Sequence, residues 1–195
     1  MSTTPYEIIA GPADVFVAPV GTEFPDIDAE PTGDWVSLGR TEGGITTSHD
    51  ESVDLLYVDQ ASGPVKAIRT EEHMKVSFSI AELTLERYAR VMNDAFVSDI
   101  APGVGAAGHR SFPLRQGFDV ARFAMLIRGP SPYMDAFMQF EIPIVVQSGS
   151  PAPAFVKDDK TILDTEWEAL EDPDAATPEE RFGSLRAQDA PPTPA

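Results

Sequence analysis

No cysteine occurs anywhere in the chain, which excludes disulfide scaffolds, cysteine-ligated zinc sites and thiol catalysis. Basic residues are scarce: 14 Lys and Arg stand against 32 Asp and Glu, for a formal net charge of −18. A chain so acidic is poorly built to grip DNA or anionic lipid, because phosphate binding needs clustered Lys and Arg. No apolar run approaches the roughly 18 residues that would cross a bilayer as a helix. The opening Met1-Ser2-Thr3-Thr4-Pro5 lacks the basic-then-apolar pattern of a secretory leader. Histidine is also rare, with His49, His73 and His109 far apart and in no HExxH spacing. The expectation is a protein without a membrane span.

What the chain does have is acid at its ends and punctuation throughout. Residues 1–60 hold twelve acids and the single base Arg40, whereas residues 61–150 hold nine of each sign. The remaining excess of acid follows residue 150. The 18 prolines and 14 glycines cluster at Gly21–Gly33, Pro102–Gly108, Gly129–Pro132 and Ser148–Pro153, which read as loops between short elements. A length of 195 residues suits one domain with an appendage. Residues 173–195 are polar, acidic, proline-rich and without period, a composition that orders only against a partner. They are expected to pack on a neighbouring subunit, with residues 1–172 forming the domain proper.

Period-two alternation is the dominant pattern. In Glu72–Ala81, Met74, Val76, Phe78 and Ile80 share one face, while His73, Lys75, Ser77 and Ser79 share the other. Over Tyr133–Val146, Met134, Ala136, Met138, Phe140, Ile142, Ile144 and Val146 form the apolar side, opposite Asp135, Gln139 and Glu141. Such stretches predict strands with one packed and one wet face. Arg122–Arg128 precedes the second, and Gly129-Pro130-Ser131-Pro132 predicts a hairpin turn. Further strands are expected at Val15–Val20, Trp35–Leu38, Ser52–Asp59, Val65–Thr70, Ser111–Gln116 and Lys160–Leu170. One helix is expected, Thr84–Asn93, with Thr84 as N-cap and a sheet-facing stripe of Leu85, Tyr88, Ala89 and Met92 at i, i+3, i+4 and i+7. The fold class is mainly β: a β-sandwich or partial barrel with one flanking α-helix.

Motifs with chemical meaning fail on inspection. Gly103-Val104-Gly105-Ala106-Ala107-Gly108 matches GxGxxG, but His109-Arg110-Ser111-Phe112-Pro113 follows where a phosphate-facing helix is required, so it reads as a loop. Asp26, Asp28 and Glu30 imitate a calcium loop, yet Pro31 sits where glycine is needed and Ser37 where a bidentate Glu is needed. Glu166 and Glu168 read as a solvated strand face. The expectation is therefore no enzyme, no metal and no cofactor.

One pattern carries a resemblance. Pro64-Val65, Arg69, Glu72, Val76, Phe78, Ala81-Glu82 and Thr84-Leu85-Glu86, preceded by the segment Trp35–Gly44, resemble the tail tube, or major tail, proteins of long non-contractile-tailed bacteriophages. The closing strand Ile162–Leu170 before Asp172-Pro173 is similar too, so the resemblance covers about residues 10–172. It implies homo-hexameric rings, joined through long hairpins into an oligomeric β-barrel and stacked into a virion tail tube. Such a tube assembles in the bacterial cytoplasm and meets tape measure, tail terminator and distal tail proteins. Genomic DNA would pass through the channel without specific binding. Gene transfer agents and secretion-type tubes share the architecture; a carbohydrate-binding β-sandwich is the rival from another class. Within this frame the lumen-facing candidates are Lys75, Ser77, Ser79, Asp135, Gln139 and Glu141. Candidates for contact with the next ring are Asp54, Tyr57, Asp59, Gln60 and Lys66.

Overall fold

The computed structural model describes residues 8–133 and 135–190. Among the described residues there are ten strands and one α-helix: β1 Asp14–Pro19, β2 Val36–Ser37, β3 Thr41–Leu56, β4 Lys66–Ile80, α1 Leu85–Val91, β5 Ser98–Ile100, β6 His109–Ser111, β7 Arg122–Pro130, β8 Phe137–Gln147, β9 Leu163–Ala169 and β10 Ser184–Ala187. Eight of them make one antiparallel sheet in the order β2-β1-β7-β8-β9-β4-β3, with β10 paired to β8 beside β9. The sheet is not closed: β2 is one edge and the 16-residue β3 the other. The fold is the expected mainly β class with one helix, realised as one large curled sheet and a separate two-stranded β5–β6 hairpin.

The curl is driven by one apolar face. Val15 and Val17, Met74 to Ile80, Phe123 to Ile127, Ile142 and Val145, and Leu163 to Ala169 supply alternate residues to a common core, on which α1 sets Val91. Burying a side chain of this size is worth roughly 1.5–3 kcal/mol. On the outer face of β1 and β7, Ala18, Ala124 and Leu126 meet Trp35, against which Phe24 also packs. The loop between β1 and β2 therefore covers the side of the sheet opposite α1.

Three local departures from the expected elements have physical causes. Strand β8 starts at Phe137, so Tyr133 and Asp135 lie in the preceding turn, and Met134 falls outside the described residues. Its apolar face also changes phase: Phe123 pairs with Val145 and Met125 with Ile142, so two residues of β8, Pro143 and Ile144, oppose one of β7. Pro143 has no N–H for the ladder, which suits a bulge. Val145 then takes the core position that unbroken alternation gives to Ile144 or Val146. The expected Ser111–Gln116 strand exists only as β6, paired with β5; beyond it the chain turns back to α1.

Strands β3 and β4 merge what the sequence divides. Residues 66–80 form one continuous strand instead of two, joined to β3 by a turn over residues 57–65 that contains Ser62-Gly63-Pro64. At the base of the hairpin Gly43 and Gly44, at φ +75° and +90°, form a bulge opposite Ser79 and Phe78, a backbone that favours glycine. Thr84 caps α1 by accepting the amide of Arg87 at 3.3 Å. In the helix stripe Ala89 is buried and Leu85, Tyr88 and Met92 are half-buried; Val91, outside the expected stripe, is the deepest.

Residues 173–195 were expected to need a neighbouring subunit. Within this chain, however, β10 pairs antiparallel with β8 from Ser184 opposite Glu141 to Ala187 opposite Met138. The linker is tied by the Asp172 amide, which donates to the Arg181 carbonyl. The β8 edge left free by the shorter β9 is what receives it. Residues 191–195 lie outside the described residues.

Candidate functional site

Two polar constructions stand out. The first is the wet face of β3, β4 and β9. Cross-strand pairing places Ser79 beside Asp164, Ser77 beside Glu166 and Lys75 beside Glu168, with Glu42, Thr46, Ser48 and Asp50 of β3 on the other flank. Directly paired residues share a face, so these side chains form one continuous polar surface. Ser79 Oγ donates to Asp164 at 2.5 Å, His73 Nδ1 lies 2.8 Å from Glu168, and Lys75 Nζ is 3.9 Å from Asp50. The base of this face opens into a shallow trough of about 400 Å³ lined by Glu42, Ser77, Ser79, Asp164 and Glu166 among others. Among the described residues no serine hydroxyl bonds a histidine, and no group of three or more His, Asp or Glu side chains is arranged to hold a metal.

The surface continues past the core. From residue 49 outward through the turn and back to residue 73 every residue is exposed, save a half-exposed Gly63. At about 3.3 Å per residue this free arm is about 25 Å long. Asp54, Tyr57, Asp59, Gln60 and Lys66, the candidates for a contact beyond the subunit, all lie at its far end, exposed. Lys75, Ser77 and Ser79 lie on the polar face at its root.

The second construction corrects the sequence reading. Gln139 is fully buried and Glu141 only 8 % exposed, so neither belongs to a wet wall. Both face Arg128, itself 6 % exposed. The Arg128 Nη2 donates to Gln139 Oε1 at 2.7 Å and to the Asp26 carbonyl at 3.1 Å, and Nη1 donates to the Ala29 carbonyl. Gln139 Nε2 donates to the Pro25 carbonyl and to Glu141; Glu141 also accepts from Arg186 at 3.0 Å and from Ser184 at 3.2 Å. Burial pushes the Arg128 guanidinium below its ordinary pKa, while Glu30, Asp28 and Glu141 oppose the shift. Loop 23–30, which imitates a calcium loop in sequence, thus spends two of its carbonyls on an arginine. The cluster clamps that loop and β10 to the β7–β8 hairpin. Asp135 stays exposed but outside the strand, apart from the β4–β9 face.

Sequence reasoning placed Glu166 and Glu168 on a solvated face without joining them to Ser77 and Ser79. Their odd-even complementarity was visible, but the pairing of β4 with β9 spans more than eighty residues and is invisible to local periodicity.

No family model and no curated protein matches the chain. Among solved structures it is similar to a chain from the tail of an empty gene transfer agent (GTA) particle refined with helical and C6 symmetry. The TM-score is 0.41 at 8 % identity, with 80 % of this chain and 88 % of that chain covered.

Proposed function

We propose that this chain is the repeating subunit of a phage-type tail tube, a structural protein and not an enzyme. Six copies close a ring, rings stack, and DNA passes through the channel without being held. The observation that carries the reading is the β3–β4 hairpin. Its strands of 16 and 15 residues far exceed the usual five or six. Half of their length leaves the core, and among the described residues no strand pairs with the outer edge of β3. An exposed edge of that length invites pairing with another chain unless it is covered. Closing a ring of identical subunits removes it.

In this arrangement the polar face of β3, β4 and β9 is the channel wall. Its charges are Glu42, Asp50, Asp164, Glu166 and Glu168 against Lys75 and Lys160, the latter bridging Glu42 at 2.7 Å, so the wall keeps an excess of acid, repels a polyanion and offers it no string of basic contacts. The far end of the arm, from Asp54 to Lys66, meets the next ring. Tape measure, terminator and distal tail proteins would be the partners of such a tube. The same chemistry serves a phage or a gene transfer agent. Negative-stain microscopy of the purified protein tests the reading: hollow rings or tubes are expected, and a carbohydrate-binding module would stay a monomer or small oligomer with no channel.

A further inference from the structure

The end of the β3–β4 arm loses the polar character of its root. Val53, Leu55, Leu56, Tyr57, Val65 and Ile68 all lie within residues 53–68, each between 41 % and 64 % exposed. Single exposed apolar residues need no explanation, but a group of this size on one short ribbon marks an interaction surface. The hairpin register sorts these residues by face. Thr47 pairs with Val76 and Ile45 with Phe78, so Ile45 and Thr47 point to the core side. Further out Thr70 is an extra residue in β4, with Ser52 opposite Glu71 and Val53 opposite Arg69. Arg69 bonds Glu51 and Glu72, which share the parity of His49 and Met74, and so marks the core side beyond the bulge. Val53, Leu55 and Ala67 therefore extend the core side of the sheet, and Leu56 and Ile68 lie on the other.

Within the subunit the core side of β4, from Met74 to Ile80, packs on apolar residues of β7, β8 and β9. Among the described residues nothing gives the arm the same cover. The core layer, in turn, comes to the surface at a mouth of about 430 Å³ beside the root of β3. Ile45 and Thr47 of β3 line it together with Ile127, Met138 and Phe140 of the β7–β8 hairpin and Ile9. Ile127 is a buried member of the core, and Ile45 and Phe140 pack against that core. None of the described residues lining the mouth is charged.

Charge and chain geometry both point to a second copy as the occupant. Two chains of −18 repel each other wherever acid meets acid. The mouth brings no charge to a contact, and residues 53–68 bring two acids and one base, so these patches meet at little electrostatic cost. They do not meet within a chain. Thr47 and Leu55 are eight residues apart on the one continuous strand β3, about 26 Å at 3.3 Å per residue. Each copy thus carries one arm end and one mouth at separate places. Unlike surfaces of this kind join copies head to tail, and such a contact repeats from copy to copy.

We propose that the mouth beside the root of β3 receives the arm end of a second copy of this chain, with Val53, Leu55 and Ala67 of the arm laid against Ile45, Ile127 and Phe140. The exposed core side of the arm then gains the cover that β7 and β8 give to its inner half. The inference rests on the tube reading and names the surface that takes the arm in the next ring.

A chain without cysteine makes the test direct. Thr47→Cys with Leu55→Cys puts one thiol in the mouth and one on the arm end, and neither side chain is buried. A disulfide needs Cα atoms within about 7 Å, so these two thiols cannot join within a chain. Tubes of the double variant, oxidised or treated with a short flexible bismaleimide, are expected to give a ladder of covalent multimers on a denaturing gel. The two single variants, assembled as a mixture, give dimers by the same treatment. The Thr47→Cys thiol, open to maleimide in the free subunit, loses that reactivity in the tube. Tubes that yield no multimers, a thiol at residue 47 that stays as reactive as in the free subunit, or equal cross-linking of Leu55→Cys alone each overturn the docking assignment and leave the tube reading standing. A wild type that forms neither rings nor tubes at any concentration removes both.

Discussion

Arg128 concentrates the energetics of one end of the molecule in a single side chain. Its guanidinium is bound by two backbone carbonyls and Gln139, with Glu141 next in line. Replacing it by Met keeps the volume and removes every donor, leaving the Asp26 and Ala29 carbonyls and Gln139 Oε1 without their partner. The expected loss is about 3 kcal/mol in urea unfolding. A loss below about 1 kcal/mol would show that the cluster adds little. Gly183 is a second decisive residue. Its φ is +101°, and a Cβ there would collide with the Glu141 carbonyl, so Gly183→Ala cannot keep β10 on β8. Faster amide exchange at residues 184–187, with β7 and β9 still protected, is the expected result; unchanged exchange there would contradict it. These residues also show where local sequence reading stops. Gln139 and Glu141 obey the polar phase of a half-wet strand, and nothing within ten residues reveals that Arg128, loop 23–30 and β10 will cover them. The exposed Ser77 and half-buried Lys75 and Ser79 follow the same alternation and keep it, because β9 covers their edge and not their face.

At the scale of elements, the long hairpin is separable from the core in energy though continuous with it in structure. Deleting Gln60–Val65 removes exposed residues, so stability should change by less than about 0.5 kcal/mol. Rings should still form, but they should not stack. Tubes of normal length from that variant, seen by electron microscopy, would refute a role for the arm end in stacking. The strands of the core were legible because apolar alternation is a two-residue signal: β1, β7, β9 and the inner half of β4 lie where the pattern puts them. The extent of β3 was not. Its inner half, Thr41–Asp50, is mostly polar and has no fully buried residue, so it carries no apolar alternation to read, and only the pairing with β4 defines it as strand. The bulge at Pro143 and Ile144 was hidden for the opposite reason, since apolar residues continue through it and mask the change of phase. The helix was recognisable from Thr84 and its stripe, while it ends at Val91, two residues before the expected Asn93, whose side chain instead bonds a loop more than twenty residues away.

For the molecule as a whole, the charge of −18 divides by surface and not only by sequence. One group of acids forms loop 21–34 on the outer side of β1 and β7. Another lines the polar face of β3, β4 and β9, where Asp164, Glu166 and Glu168 come from beyond the balanced middle of the chain. The sequence alone left the sign of a channel wall to Asp135 and Glu141. The first stands outside the strand and the second is buried, and β9 supplies the acid in their place. The central claim is that this polar face lines the channel of a six-fold tube. Helical reconstruction by cryo-electron microscopy of assembled wild-type protein tests it most directly. The account expects Ser77, Glu166 and Glu168 on the wall of a hollow lumen; the same residues on the outer surface, or an assembly with no channel, would contradict it.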